Sequence, residues 1–326
     1  MTIKIATISL LLIVLTLAVS NPSQKVRGNL TKLTAQTENP DKKNTMQRIL
    51  DDSAKLEKLA SDFQFIEGPI WHPDGFLLFS DIPANIIYKF GSNQQVEVFR
   101  SPSGKANGNT LDKENRLLTG EHENRRVSRT EKDGKVITLA DRYDGKRLNS
   151  PNDLVVKSDG SIYFTDPSYG VSKEQEELGF YGVYRLAPDG KLTLLVKDLV
   201  LPNGIAFSPD EQKLYVNNSE AGYIAVFDVK PDGTVTNQQL FAELKDASQG
   251  GVPDGLKVDV EGNVYSTGPG GVWIFSPDGK LLGKISVPET ATNVAWGESD
   301  RKTLYITASK SLYRIRLKIA GVRAGK

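Results

Sequence analysis

From Phe63 to Leu317 short apolar runs alternate with polar turns, and the alternation repeats as a unit. A polar residue opens each copy. A short apolar strand follows, then a turn, then a second strand rich in Tyr, Phe, Leu and Val. The opening residues are Glu67, Asn107, Asn152, Asn203, Asp254 and Thr292. Turns such as Pro73-Asp74-Gly75, Ser158-Asp159-Gly160 and Glu261-Gly262-Asn263 separate the first two strands. Turn residues at a fixed offset between β-branched and aromatic runs predict hairpins. A third strand follows in most copies, as in 182–186, 223–227 and 271–275. Pro188-Asp189-Gly190, Pro231-Asp232-Gly233 and Pro277-Asp278-Gly279 then lead into a fourth.

The opening positions are spaced by 38 to 51 residues, which matches the roughly 40–50 residues of a four-stranded propeller blade. Six copies predict an all-β chain folded as a six-bladed β-propeller, with almost no helix after Phe63. No blade can bury both faces alone, so the stack must close on itself. The last copy ends near Leu317, and the segment 56–63 is expected to complete the sixth blade. A sandwich would not give a recurrent four-strand unit.

The N-terminus reads differently. Lys4 precedes an apolar run from Ile5 to Val19, shorter than the roughly 20 residues that span a bilayer. Ala18-Val19-Ser20 places small residues at a cleavage position. Residues 1–20 are therefore expected to be a signal peptide, 21–50 a polar flexible spacer, and 51–326 the propeller. The protein is expected to be exported, to the periplasm or beyond. Cleavage leaves no stable membrane insertion, whereas an uncleaved signal would act as an anchor.

Composition narrows the chemistry. The chain of 326 residues has a formal net charge of +1, from 41 basic and 40 acidic residues. No basic footprint for nucleic acid results. Cysteine is absent, which excludes disulfides, thiolate metal sites, cysteine nucleophiles and a lipidated N-terminal cysteine. His72 and His122 are the only two histidines, so a three-histidine metal site is impossible within one chain.

In a propeller the innermost strands line the central channel. Six opening positions thus converge on one axis and bring Glu, Asn, Asn, Asn, Asp and Thr together. Oxygen donors of this kind select calcium, magnesium or manganese over softer metals, and calcium tolerates mixed carboxylate, amide and water ligation best. Asn-Gly and Asp-Gly also form turns on their own account. Glu67 in Glu67-Gly68-Pro69 is not a usual turn residue, and the shared register favours a common metal site.

Five motifs carry a resemblance: 65–69 (Phe-Ile-Glu-Gly-Pro), 150–154 (Ser-Pro-Asn-Asp-Leu), 164–170 (Phe-Thr-Asp-Pro-Ser-Tyr-Gly), 201–205 (Leu-Pro-Asn-Gly-Ile) and 253–256 (Pro-Asp-Gly-Leu). Together they resemble the gluconolactonase branch of the senescence-marker-protein-30 family, over about 63–317. The stretch 119–126 resembles that branch as well. The resemblance implies a six-bladed propeller that hydrolyses lactones with calcium or zinc. It implies metal ligation by Glu67, Asn203 and Asp254, an acid/base role for Asp254, and substrate contact by Asn152. Asn107, His122 and Asp166 are further candidates for substrate contact. Asp166 before Pro167 also fits turn initiation, and Asp153 fits either a site role or a turn cap. Arg125 and Arg126 read as solvated charge. The expected partner is a small-molecule lactone, hydrolysed to its acid, and the oligomeric state is left open. Two other readings use the same residues: an esterase or phosphotriesterase at the same metal, and a propeller that only binds.

Overall fold

A computed structural model of the chain describes residues 40–325. The expected signal peptide, 1–20, and the spacer up to residue 39 lie outside the described residues, and with them the reading of export. Residues 40–50 do not continue a spacer. Pro40–Ile49 forms an α-helix, and Ile49 is buried against Tyr313, Ile315 and Leu317. Leu50 bridges to Leu317. The packed unit thus begins before residue 51, because Met46, Ile49 and Leu50 dock the helix on the fifth and sixth blades. Among the described residues no helix is long and apolar enough to cross a membrane.

Six four-stranded antiparallel sheets follow one another in chain order. Their innermost strands are Ile66–His72, Ala106–Leu111, Leu154–Val156, Pro202–Phe207, Leu256–Val258 and Ala291–Gly297. In the first five blades the remaining strands follow outward in sequence. The sixth takes its outermost strand from the other end of the chain: Glu57–Ala60 pairs with Ser311–Arg316. This is the closure expected from the segment 56–63. It ties the start of the ring to its end, so neither edge of the stack is left open. One short 3₁₀ turn, Lys173–Gln175, is the only helix assigned among described residues after Phe63.

The second strand of each blade is buried on both faces, which explains its apolar and aromatic content. Its aromatic residue packs on the next blade's innermost strand at several joints. Tyr163 meets Phe207 edge-on at 4.8 Å, Tyr265 meets Trp296 at 4.7 Å, and Tyr305 stacks on Trp71 at 5.6 Å. These contacts set the spacing of the blades. That spacing decides how closely the opening residues approach the axis.

Candidate active site at the mouth of the channel

The opening residues are held by their own backbone. Each blade hands a hydrogen-bond donor to the opening turn of the next. Ser80 Oγ donates to the Asn107 carbonyl at 2.8 Å, and Gly108 N to that of Asn152 at 3.1 Å. Thr165 Oγ1 donates to the Asn203 carbonyl at 2.7 Å, and Gly204 N to that of Asp254 at 2.9 Å. Gly255 N donates to the Thr292 carbonyl at 2.7 Å, and Thr292 Oγ1 closes the cycle on the Ile66 carbonyl at 2.8 Å. With the carbonyls fixed to the preceding blade, the side chains are left free for the axis. Thr292 is the exception, since its hydroxyl serves the ring closure.

Glu67, Asn203 and Asp254 come together as expected. The Asp254 carboxylate accepts a hydrogen bond from Asn203, and burial, with the Glu67 charge next to it, holds its pKa well above the usual carboxylate range. Burial pushes Glu67 to about 7, and the neighbouring Asp153 charge adds to the rise. Glu67 Oε2 accepts from the Gly68 amide and from Asn293 Nδ2, the latter at 2.9 Å. Glu67 Oε1 is buried with no hydrogen-bond partner. Two adjacent carboxyls in a low-dielectric site disfavour a shared negative charge. A bare buried oxygen among oxygen donors therefore fits a divalent cation, with Glu67, Asn203 and Asp254 able to hold it. No group of three or more acidic, His or Cys side chains in metal-holding geometry occurs among the described residues. The cluster has two carboxylates, and amide oxygens make up the rest.

Asn152 is buried in the same register, fixed by its own N–H to the Thr165 carbonyl at 2.8 Å. Asn107 Nδ2 donates to His122 Nε2 at 3.1 Å, and Asn107 Oδ1 is buried without a partner. Burial lowers His122 to about 4. The imidazole is thus neutral at physiological pH and holds Asn107 rather than carrying charge.

No hydrogen bond joins Asp166 to Glu67, Asn203 or Asp254 among the described residues, and its Oδ1 is buried without a partner. It ends the second strand of its blade, fully buried, and Oδ2 accepts the Asn149 N–H at 2.8 Å. Burial raises it to about 7. Through Oδ2 it anchors the loop that enters the third blade, as Asp81 anchors Gln64 and Phe65 in the first. Arg125 is not solvated charge either. It is buried and Nε donates to the Leu148 carbonyl at 2.6 Å, while Arg126 pairs with Glu121 at 2.7 Å.

Three neighbours were not singled out by the repeat. Tyr169 is half exposed above the cluster, its hydroxyl 3.3 Å from Asn203 Nδ2. Burial of the phenol raises its pKa, and the Asp254 and Glu67 charges add to this. The loop that carries Tyr169 is seated tightly: a Cβ on Gly170 would lie 2.5 Å from His122 Cβ, and Gly170 N donates to Ser150 Oγ at 3.0 Å. Below the cluster, Lys257 Nζ pairs with Asp153 Oδ2 at 3.0 Å and reaches Asn293 Oδ1 at 3.5 Å. The motif 164–170 contained Tyr169. Lys257 and Asn293 lay one to three residues past the opening positions, where only the coiling of the strand brings them to the axis.

Comparison with known proteins gives the family. The sequence pattern of the SMP-30/gluconolactonase/LRE-like region matches residues 65–310. The chain belongs to this family. A gluconolactonase from Zymomonas mobilis subsp. mobilis is 37% identical, over 93% of this chain and 90% of that protein. Among solved structures of the SMP-30/gluconolactonase/LRE-like family, a gluconolactonase from Xanthomonas campestris is 38% identical with a TM-score of 0.78. It covers 83% of this chain and 92% of its own. A calcium-binding regucalcin from Agrobacterium tumefaciens shares the fold at a TM-score of 0.69 and 19% identity, over 81% of this chain and 94% of that one.

Proposed function

We propose that this chain is a hydrolase that opens a sugar lactone to its hydroxy acid at the Glu67–Asn203–Asp254 cluster. One observation carries the reading: two carboxyls and an amide converge at the channel mouth, each carboxyl displaced upward in pKa, and Glu67 Oε1 is buried without a partner. Similarity to gluconolactonases over nearly the whole chain supports the substrate class. A divalent cation at these oxygens, calcium by the donor chemistry, would supply Lewis-acid stabilisation of the carbonyl oxygen as charge develops. Zinc, magnesium and manganese are the other ions to test.

The chain's own residues supply the rest. Asp254 is the group placed to take a proton from the attacking water as its oxygen bonds to the carbonyl carbon. The ring C–O bond then breaks, and the same carboxyl returns the proton to the leaving alkoxide. Asn152 and Asn107 offer carboxamides to sugar hydroxyls. His122 keeps Asn107 oriented, and Tyr169 covers the mouth. Export through the segment 1–20 is part of the same proposal, and N-terminal sequencing of the native protein should begin near Asn21.

The test is a pH-stat assay of purified protein on a panel of aldonolactones and aryl esters, with calcium and with a chelator. Lactone hydrolysis that stops on chelation and returns with calcium is expected. Turnover of esters alone, or lactone turnover indifferent to the chelator, would contradict the proposal.

A further inference from the structure

A large cavity among the described residues is not at this cluster. It lies at the opposite mouth of the channel and has a volume of about 470 Å³. All six blades line it with the far ends of their innermost strands, including Trp71, Leu111, Val156, Phe207, Val258 and Trp296. The size falls within the roughly 300–1,000 Å³ of small-molecule pockets. Lys257 separates it from the carboxyl cluster. Lys257 lines the cavity, and its ammonium pairs with Asp153 at 3.0 Å.

The C-terminal segment roofs this cavity. After the sixth blade, Val260 N donates to the Ala320 carbonyl at 2.9 Å, and Val322 N donates to the Val258 carbonyl at 3.1 Å. Gly321 lies flat on the Trp296 indole, where an added Cβ would be 2.2 Å from Cδ2. Gly325 reaches the far side, where its Cβ would be 2.7 Å from the Asp112 carbonyl of the second blade. The segment therefore crosses the mouth from the fifth and sixth blades to the second and brings Arg323 to the rim.

The polar groups of the cavity are unevenly satisfied. Glu211 pairs with Lys157 at 3.1 Å, and Glu298 accepts from the Tyr305 hydroxyl at 2.7 Å. Arg301 and Arg323 line the cavity too, and neither guanidinium has a salt bridge or side-chain hydrogen bond among the described residues. Trp296 is only 8% exposed and offers the cavity an indole ring as wall. Arg301, half-buried, and Arg323, exposed at the rim, beside a wall that includes Trp71 and Trp296 favour a ligand with an anionic end and a flat apolar body.

We propose that this cavity is a second binding site, separate from the carboxyl cluster, for an aromatic or alicyclic organic anion. The carboxylate or sulfonate meets Arg301 and Arg323, and the ring lies against Trp71 and Trp296.

The probe is the fluorescent aromatic sulfonate anilinonaphthalenesulfonate, titrated into the folded, calcium-supplemented protein. Its uncharged analogue phenylnaphthylamine is the control. Energy transfer from the indoles reports the site, since Trp71 and Trp296 are two of the three tryptophans. Saturable binding of one sulfonate is expected, weakened about tenfold or more in Arg301→Ala/Arg323→Ala, as for the loss of charge-assisted contacts. The uncharged analogue should bind more weakly and be indifferent to that double substitution. Glu67→Gln should leave sulfonate binding unchanged, and the double variant should keep the parent lactone turnover. Absence of saturable binding, equal affinity in the double variant, or loss of binding in Glu67→Gln would overturn the proposal.

Discussion

Lys257 Nζ lies 3.0 Å from Asp153 Oδ2, although 104 residues and a whole blade separate them. The Asp153 side chain is only 2% exposed and that of Lys257 21%. The pair forms the floor of the carboxyl cluster. Removing one partner strands a buried charge, whereas removing both does not. Lys257→Met is expected to lower unfolding stability in denaturant by about 3–5 kcal/mol, and the double variant Asp153→Asn/Lys257→Met to recover most of that loss. Equal losses in the two variants would show that the pair is not coupled.

The fold was legible because its unit is local. A turn such as Pro188-Asp189-Gly190 between two alternating strands needs no knowledge of the rest of the chain. Repetition did the remaining work, down to the strand 57–60 that closes the ring. The helix 40–49 was hidden by its composition, since its first half is polar and only Met46, Ile49 and the following Leu50 pack on the blades. The core of the site was legible for the same reason as the fold: Glu67, Asn203 and Asp254 share one register. Asp166 carried two readings in the sequence, substrate contact and turn initiation, and its Oδ2 holds a loop amide while its Oδ1 is buried without a partner. Lys257 and Asn293 carry no local signal. Their meeting with Asp153 and Glu67 exists only once six blades have closed.

Cation binding should be linked to protons. In the metal-free protein, the raised pKa of Glu67 means that the folded state holds a proton that the unfolded chain releases above its ordinary value of 4.5. That contribution to stability is complete below about 4.5 and is lost as pH rises through about 7. A cation requires the ionised form. Calcium added at about pH 6 is expected to release about one proton or more, and its stabilising effect to grow from about pH 5 to 8. Calorimetry in buffers of different ionisation enthalpy measures the release. Binding with no proton release would show that Glu67 is not a ligand.

Tyr169 should act on substrate rather than on stability. Its ring is half exposed, and its hydroxyl contact with Asn203 is 3.3 Å long. Tyr169→Phe is expected to change unfolding stability by no more than about 0.5 kcal/mol. KM for a sugar lactone should rise several-fold, up to about tenfold, the worth of about one hydrogen bond. Unchanged kinetics would remove the hydroxyl from the site.

The most direct test of the central claim is the turnover of gluconolactone by Asp254→Asn at saturating calcium, with folding verified by circular dichroism. The substitution preserves the shape of the side chain and the carbonyl contacts to Gly204 and Asn217. It removes the carboxylate that would take the proton from water. A folded variant with kcat/KM lowered by about a hundredfold or more is the expected result. Hydrolysis at the parent rate would contradict the account.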